Sequence, residues 1–206
     1  MKTSLILNTS CMDPHANKSH NPWRKAIYAD RINTLAVTIN KAADDAWHEV
    51  IVAGNYEEGS GYKYVPVQPV CRNRADALVQ REQGARYATG DVLVFCHDDH
   101  RPAAGFAKLL SDKYANVEWD LLIPQRIHAI TNEVLANGKD DSPNGSYMGG
   151  HCLVMKRWLW AEVPWNSTQT EYWDHSMTRL WRNAGAQLVY ADDLIHYDME
   201  ASEDEA

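Results

Sequence analysis

Asp91-Val-Leu-Val-Phe-Cys-His-Asp-Asp-His-Arg-Pro102 is the stretch on which the reading of this chain turns. The apolar run Val92-Leu-Val-Phe-Cys96 ends at two adjacent carboxylates set between two imidazoles. A strand without polar alternation is buried on both faces, as in a parallel sheet covered by helices. Ionisable groups at its carboxyl end then stand where open α/β sheets bind ligands. Three readings of His97-Asp-Asp-His100 compete: a solvated turn, a His-x-x-His zinc site, and a site for a hard cation with phosphate. Zinc accepts imidazole and carboxylate, but no cysteine cluster accompanies this pair. Carboxylates suit Mg²⁺ or Mn²⁺, which prefer oxygen and bridge to phosphates. The place of the acids at the end of the most apolar strand favours the third reading.

Outward from this stretch, strand and helix patterns alternate. Residues 5–9 read as a first strand, and Pro22 opens a helix over residues 22–43. Residues 49–53 form a second strand, and residues 64–67 a third, placed at an edge by Pro66. Asn73 caps a helix over residues 74–88 that Gly90 ends. Pro102 is expected to open a further helix to about residue 110. This order implies an α/β fold, Rossmann-like, with a mostly parallel central sheet flanked by helices. The second half reads as strands at 121–124 and 126–130, a polar loop at 137–146, and a strand at 149–155. A capping box, Thr168-Gln-Thr-Glu171, starts a helix running to about residue 184. Strands at 187–190 and 194–196 close one domain, residues 1–198. The acidic tail, residues 199–206, is expected to be disordered.

Composition bounds the function. The chain has 206 residues, 45% hydrophobic and 23% charged, which fits one globular domain. Its net charge of -8 excludes a general nucleic-acid binder. Cys11, Cys71, Cys96 and Cys152 are far apart, so reduced thiols and a cytoplasmic setting are expected. No stretch approaches the ~20 apolar residues of a membrane span, and the first residues do not form a signal peptide.

The longer pattern over residues 81–102 carries Gly84, Ala88, Gly90, Asp91, Phe95, Asp98, Asp99 and Pro102. It resembles the central signature of GT-A glycosyltransferases, especially the family 2 type: a helix, Gly-Asp, a buried strand, then an acidic D-x-D-type motif and a proline. His97 stands where that motif usually has its first acid. The resemblance extends over most of the chain and divides it into a nucleotide-binding half, residues 1–100, and an acceptor half, residues 101–198. It implies a nucleotide-sugar donor, a hydroxyl acceptor of saccharide or small-molecule type, and Mn²⁺ or Mg²⁺. The state of association, monomer or homo-oligomer, is left open.

The same resemblance assigns residues. Asp99 and His196 would bind the metal, with Asp98 nearer the ribose or sugar. Thr9, Ser10, Asn55 and Glu57, at the ends of the first two strands, would line the nucleoside. Arg74, Asp76 and Arg81, on the helix before the signature, would contact the nucleotide. Gly149 and Gly150 would line the donor sugar and acceptor. Asp174, with Glu171 next, would be the catalytic base. Helical spacing puts Trp173, Met177, Leu180, Trp181 and Ala184 on one face, with Asp174 at its edge. A half-buried carboxylate there has a raised pKa and can act as a base. Trp165 is the aromatic platform expected for the acceptor.

The expected activity is transfer of a sugar from a nucleotide-diphosphate sugar, UDP-linked in preference to GDP-linked. The rivals are a nucleotidyltransferase, whose Gly-rich basic loop the segment Thr9-Ser-Cys-Met-Asp-Pro-His15 lacks, and a non-catalytic nucleotide- or sugar-binding module.

Overall fold

A computed structural model describes residues 1–9, 22–43, 45–54, 56, 59–67, 75–135, 151–164 and 173–199; within these, the side chains of residues 22–31, 75, 76, 173 and 174 are not described. The strands are β1 (Thr3–Thr9), β2 (Glu49–Gly54), β3 (Lys63–Pro66), β4 (Val92–His97), β5 (His100–Pro102), β6 (Leu121–His128), β7 (Val134–Leu135), β8 (Cys152–Lys156) and β9 (Leu188–Asp198). The helices are α1 (Pro22–Ala43), α2 (Ala75–Tyr87), α3 (Phe106–Tyr114), α4 (Arg157–Glu162) and α5 (Trp173–Asn183).

One sheet runs β3-β2-β1-β4-β8-β6-β9-β5, and β7 pairs with β6 off this path. The pairings β3–β2, β2–β1, β1–β4 and β6–β9 are parallel. β8 runs antiparallel to both β4 and β6, and β5 is antiparallel to β9. The parallel character therefore holds for the first half, and the second half is mixed. β1 is the point of reversal: the chain builds β2 and β3 on one side of it, then returns to place β4 on the other.

Successive side chains of a strand point to opposite faces, and the apolar strands sort their residues accordingly. Leu5, Leu7, Val92, Val94 and Cys96 join a core with Leu35 and Ile39 of α1 and Phe106 and Leu110 of α3. Ile6, Leu93 and Phe95 join a second core with Leu78 and Ala85 of α2, Leu159 of α4, and Met177 and Trp181 of α5. β1 and β4 are thus covered on both faces, which is why their sequences show no alternation. Gly84 lets α2 approach: a Cβ there would lie 2.5 Å from Ile6 Cγ2 and 3.2 Å from Ala53 Cβ.

Three sequence expectations change. Pro102 does not open a helix; it ends β5, paired with His196 of β9. Proline donates no backbone hydrogen bond, so an end strand of the sheet accommodates it. The helix begins four residues later, after Gly105, whose φ of 77° is in the left-handed region. The pairs of short strands expected at 121–130 and 187–196 are each one strand, β6 and β9. Their register jumps from Pro124↔Ala191 to Gln125↔Ile195, so Asp192, Asp193 and Leu194 form a bulge in β9. Lys113 and the Tyr114 hydroxyl hold the Asp193 carboxylate in that bulge. On α5, Met177, Thr178 and Trp181 are buried and His175 is exposed, but Leu180 is 38% exposed, so the inner face is narrower than expected.

Candidate functional site

The carboxyl ends of β1 and β4 lie side by side, with Asn8 opposite His97 in register. Beyond them the chain turns at Asp98 and Asp99, and β5 folds back onto β9. This turn brings the motif against the end of β9, a contact between residues about a hundred positions apart.

The turn is not solvated. Asp98 and His100 are each 2% exposed. Thr9 Oγ1 donates to Asp98 Oδ2 at 2.9 Å in a buried contact, and Gln80 Nε2 donates to the Thr9 carbonyl at 2.9 Å. Arg81, fully buried, donates from Nε to Asn8 Oδ1 at 3.2 Å. Asn8 Nδ2 lies 2.9 Å from His97 Nδ1. Gly54, at the end of β2, has a φ of 140°, and a Cβ there would meet the Thr9 carbonyl oxygen at 2.0 Å. Only glycine lets β2 end so close to β1.

His97, Asp98 and Asp99 each bring a ligand-capable atom within 4.8 Å of the others. Two carboxylates in that group suit a hard divalent cation. His100 turns elsewhere, with Nε2 at 3.2 Å from His151 Nδ1 and 3.5 Å from Asp99 Oδ1. Its ring stands edge-on to His196 at 5.3 Å between centroids. His100 is thus not a member of the group that His97 forms with Asp98 and Asp99.

His196 is 2% exposed, and neither of its ring nitrogens has a hydrogen-bond partner among the described residues. It lies outside the group formed by His97, Asp98 and Asp99 and reaches Asp99 through His100. Burial pushes His196 well below the usual histidine pKa, and the charges of His100, His151 and Arg126 push the same way. Burial likewise pushes His100 down to about 3, with His151 adding to it and Asp198 opposing it. Asp198, 2% exposed, is paired with Arg126, whose Nε donates to it at 2.8 Å. Cys96 and Cys152 face each other in register just behind the motif, both free and buried. Burial, then a hydrogen bond with Cys152, raises the Cys96 thiol well above its ordinary value.

Of the residues singled out in the sequence, Thr9, Arg81, Asp98, Asp99 and His196 meet around this turn, Arg81 as a buried support. Asp76 lies in the first turn of α2 and Asp174 in the first turn of α5, with side chains outside the described residues. Ser10, Asn55, Glu57, Arg74, Gly149, Gly150, Trp165 and Glu171, with the capping box, the loop 137–146 and the tail from residue 200, lie outside the described residues. Asn8 was missed. Its signal was a lone amide closing the apolar run Leu5-Ile-Leu7 one residue before the expected nucleoside site.

No protein-family model matches the chain, and no curated protein does. Solved structures do match. TarS of S. aureus, residues 1–349 in complex with UDP, superposes with a TM-score of 0.66 at 12% identity, over 96% of this chain and 60% of that one. The fold is the GT-A fold. The same TarS segment with UDP-GlcNAc gives 0.62 at 12% identity, over 98% of this chain and 61% of that one. A longer TarS chain gives 0.62 at 13% identity and is spanned over 38% of its length. This GT-A chain thus corresponds to less than two thirds of each of these structures. Among its described residues no helix is long and apolar enough to cross a membrane.

Proposed function

We propose that the chain is a metal-dependent glycosyltransferase that moves a sugar from a nucleotide-diphosphate sugar, UDP-linked by preference, to a hydroxyl acceptor. The observation that carries the reading is where the His97, Asp98 and Asp99 group sits. It stands at the carboxyl ends of the parallel strands β1 and β4, where strand order reverses, which is where open α/β sheets bind nucleotides. The UDP and UDP-GlcNAc complexes of a protein with the same fold support the choice of donor.

In this reading Asp99, within the His97, Asp98 and Asp99 group, would hold Mn²⁺ or Mg²⁺, and His196, expected as the second ligand, stands behind His100 and outside that group. The cation supplies charge neutralisation for the leaving diphosphate. The Thr9 hydroxyl donates to Asp98 Oδ2 and fixes the carboxylate, and Asp98 would be the acid nearer the ribose or sugar. Ser10, Asn55, Glu57, Arg74 and Asp76 line the nucleotide, and Gly149 and Gly150 the donor sugar. Asp174, with Glu171 three residues before it as the next choice, would take the acceptor proton in an inverting transfer.

Calorimetric titration of UDP, GDP and their sugar conjugates, with and without Mn²⁺, on the wild type and Asp99→Ala, tests this. Metal-dependent binding of one nucleotide, lost in the variant, is expected. Binding that ignores both the metal and the substitution would refute the site.

A further inference from the structure

We propose that Cys96 and Cys152 are a disulfide-forming pair: a small disulfide oxidant bridges them, and the bridge staples the base of the Asp98–Asp99 turn to β8. The inference does not rest on the transferase reading. Cys96 stands opposite Cys152 in the antiparallel β4–β8 pairing. Opposed residues in such a pairing alternate between two kinds, one exchanging backbone hydrogen bonds and one not. The His97 amide donates to the His151 carbonyl at 3.2 Å, and the Arg157 amide to the Asp91 carbonyl at 2.9 Å. The bonded rungs are therefore the odd-numbered positions of β4, and Cys96 falls between them. In a non-bonded rung the Cα atoms stand about 4.5 Å apart and the side chains are closest. A disulfide requires Cα atoms about 4.4–6.8 Å apart, so this rung takes one without moving the strands. Both thiols also lie on one face, in the core shared with Leu7, Val94 and Val154.

The place of the pair in the ladder supplies the access. Cys96 and Cys152 are 0% and 1% exposed, and thiols so buried are inert while the rung is closed. The rung is, however, the last pair in the β4–β8 register, followed by the His97–His151 bond. Element ends open locally at a fraction of the cost of global unfolding. In the open rung one cysteine attacks the sulfur–sulfur bond of the oxidant, forms a mixed disulfide and releases one small thiol. The second cysteine then displaces the other. Two protein thiols and one small disulfide become one protein disulfide and two small thiols, and the oxidant takes up the two electrons and two protons. The bond that Cys96 donates to the His100 carbonyl at 3.4 Å is lost with its proton. Once bridged, the strands no longer part at this rung, and the bond from His97 to His151 opens less often.

Two measurements on the full chain test this. In the first, the folded wild type is held with excess 2-hydroxyethyl disulfide, its remaining thiols are alkylated, and its peptides are mapped by mass. The Cys96 peptide joined to the Cys152 peptide, lighter by two hydrogens than the two apart, is expected, and reduction should separate them. Both thiols recovered alkylated, or each carrying only the small thiol, overturns the proposal. The second measurement asks whether the native fold accepts the bridge. Cys11→Ser with Cys71→Ser leaves one possible disulfide. Oxidised while unfolded in urea and then refolded, this variant should melt several degrees above its reduced form. Its His97 amide should exchange with deuterated solvent about tenfold more slowly, or slower still. An oxidised form that refolds poorly or melts lower shows that the rung does not fit the bridge and overturns the pair. A His97 amide that exchanges at the same rate in both forms overturns the staple. The wild type oxidised in the first measurement supplies the same comparison if the double variant does not fold.

Discussion

Replacing Thr9 with valine keeps the shape of the side chain and removes its hydroxyl. Thr9 is 0% and Asp98 2% exposed, so water does not replace the lost donor. A hydrogen bond to a charged group contributes about 1.5–3 kcal/mol, and a buried acceptor deprived of its donor carries its desolvation cost in full. Thr9→Val should therefore lose about 2–3 kcal/mol. Serine is the opposite probe: it keeps the hydroxyl and loses one methyl, worth about 0.8 kcal/mol. Valine should consequently be the worse substitution, although it is the more hydrophobic residue in a buried strand. Urea unfolding with unchanged m-values measures the difference. For a chain of this size, thermal midpoints should fall by about 4–12 °C for valine and by about half as much or less for serine. If valine is as stable as wild type, or serine is the more damaging change, the Thr9–Asp98 bond does not hold the motif, and its placement must come from the β5–β9 pairing.

Gly84→Ala should cost about 1–3 kcal/mol in unfolding free energy, because its methyl group meets Ile6 of β1 inside a packed core; a neutral result would mean that α2 can slide off the sheet. Glu49 accepts from Ser4 and Thr89, and these bonds outweigh burial and hold its carboxyl below the ordinary value. Its stabilisation is present above the unfolded pKa of about 4.3 and lost as pH falls through the folded value. Glu49→Gln should thus be less stable than wild type at pH 7, by about 1 kcal/mol after screening, with a gap that narrows as pH falls below about 4.3; a gap independent of pH refutes the assignment. His100 and His196 resist protonation when folded. Stability should hold above about pH 6.5 and fall below it by up to about 1.4 kcal/mol per pH unit for each excluded proton, which chemical unfolding at stepped pH reads. A flat profile between pH 6.5 and 4.5 would show that the imidazoles are not buried as described.

The sequence reveals the first half of the fold because local patterns and tertiary roles agree there. α1 appears at the residues its pattern indicates, from Pro22 to Ala43. β4 is apolar throughout because helices cover both of its faces. The errors fall where distant pairing decides. Pro102 has the local look of a helix start, but β9, arriving from the far end of the chain, captures it as a strand. Asp192 and Asp193 look like a break because no local signal shows that a bulge and Lys113 accommodate them. The site divides along the same line. A motif at a strand end is visible, whereas the Arg81–Asn8–His97 contacts join residues 73 and 89 positions apart and appear only on folding.

The outermost strands of the sheet share one property. β3 at one end finishes in Pro66, and β5 at the other finishes in Pro102. Both are short, and β3 opens on the exposed Lys63. Short end strands interrupted by proline make poor templates for a neighbouring chain. The sheet is thereby protected against strand addition and fibril-like growth at high concentration. Pairing of β3 or β5 with a second copy of the chain is disfavoured at both described edges.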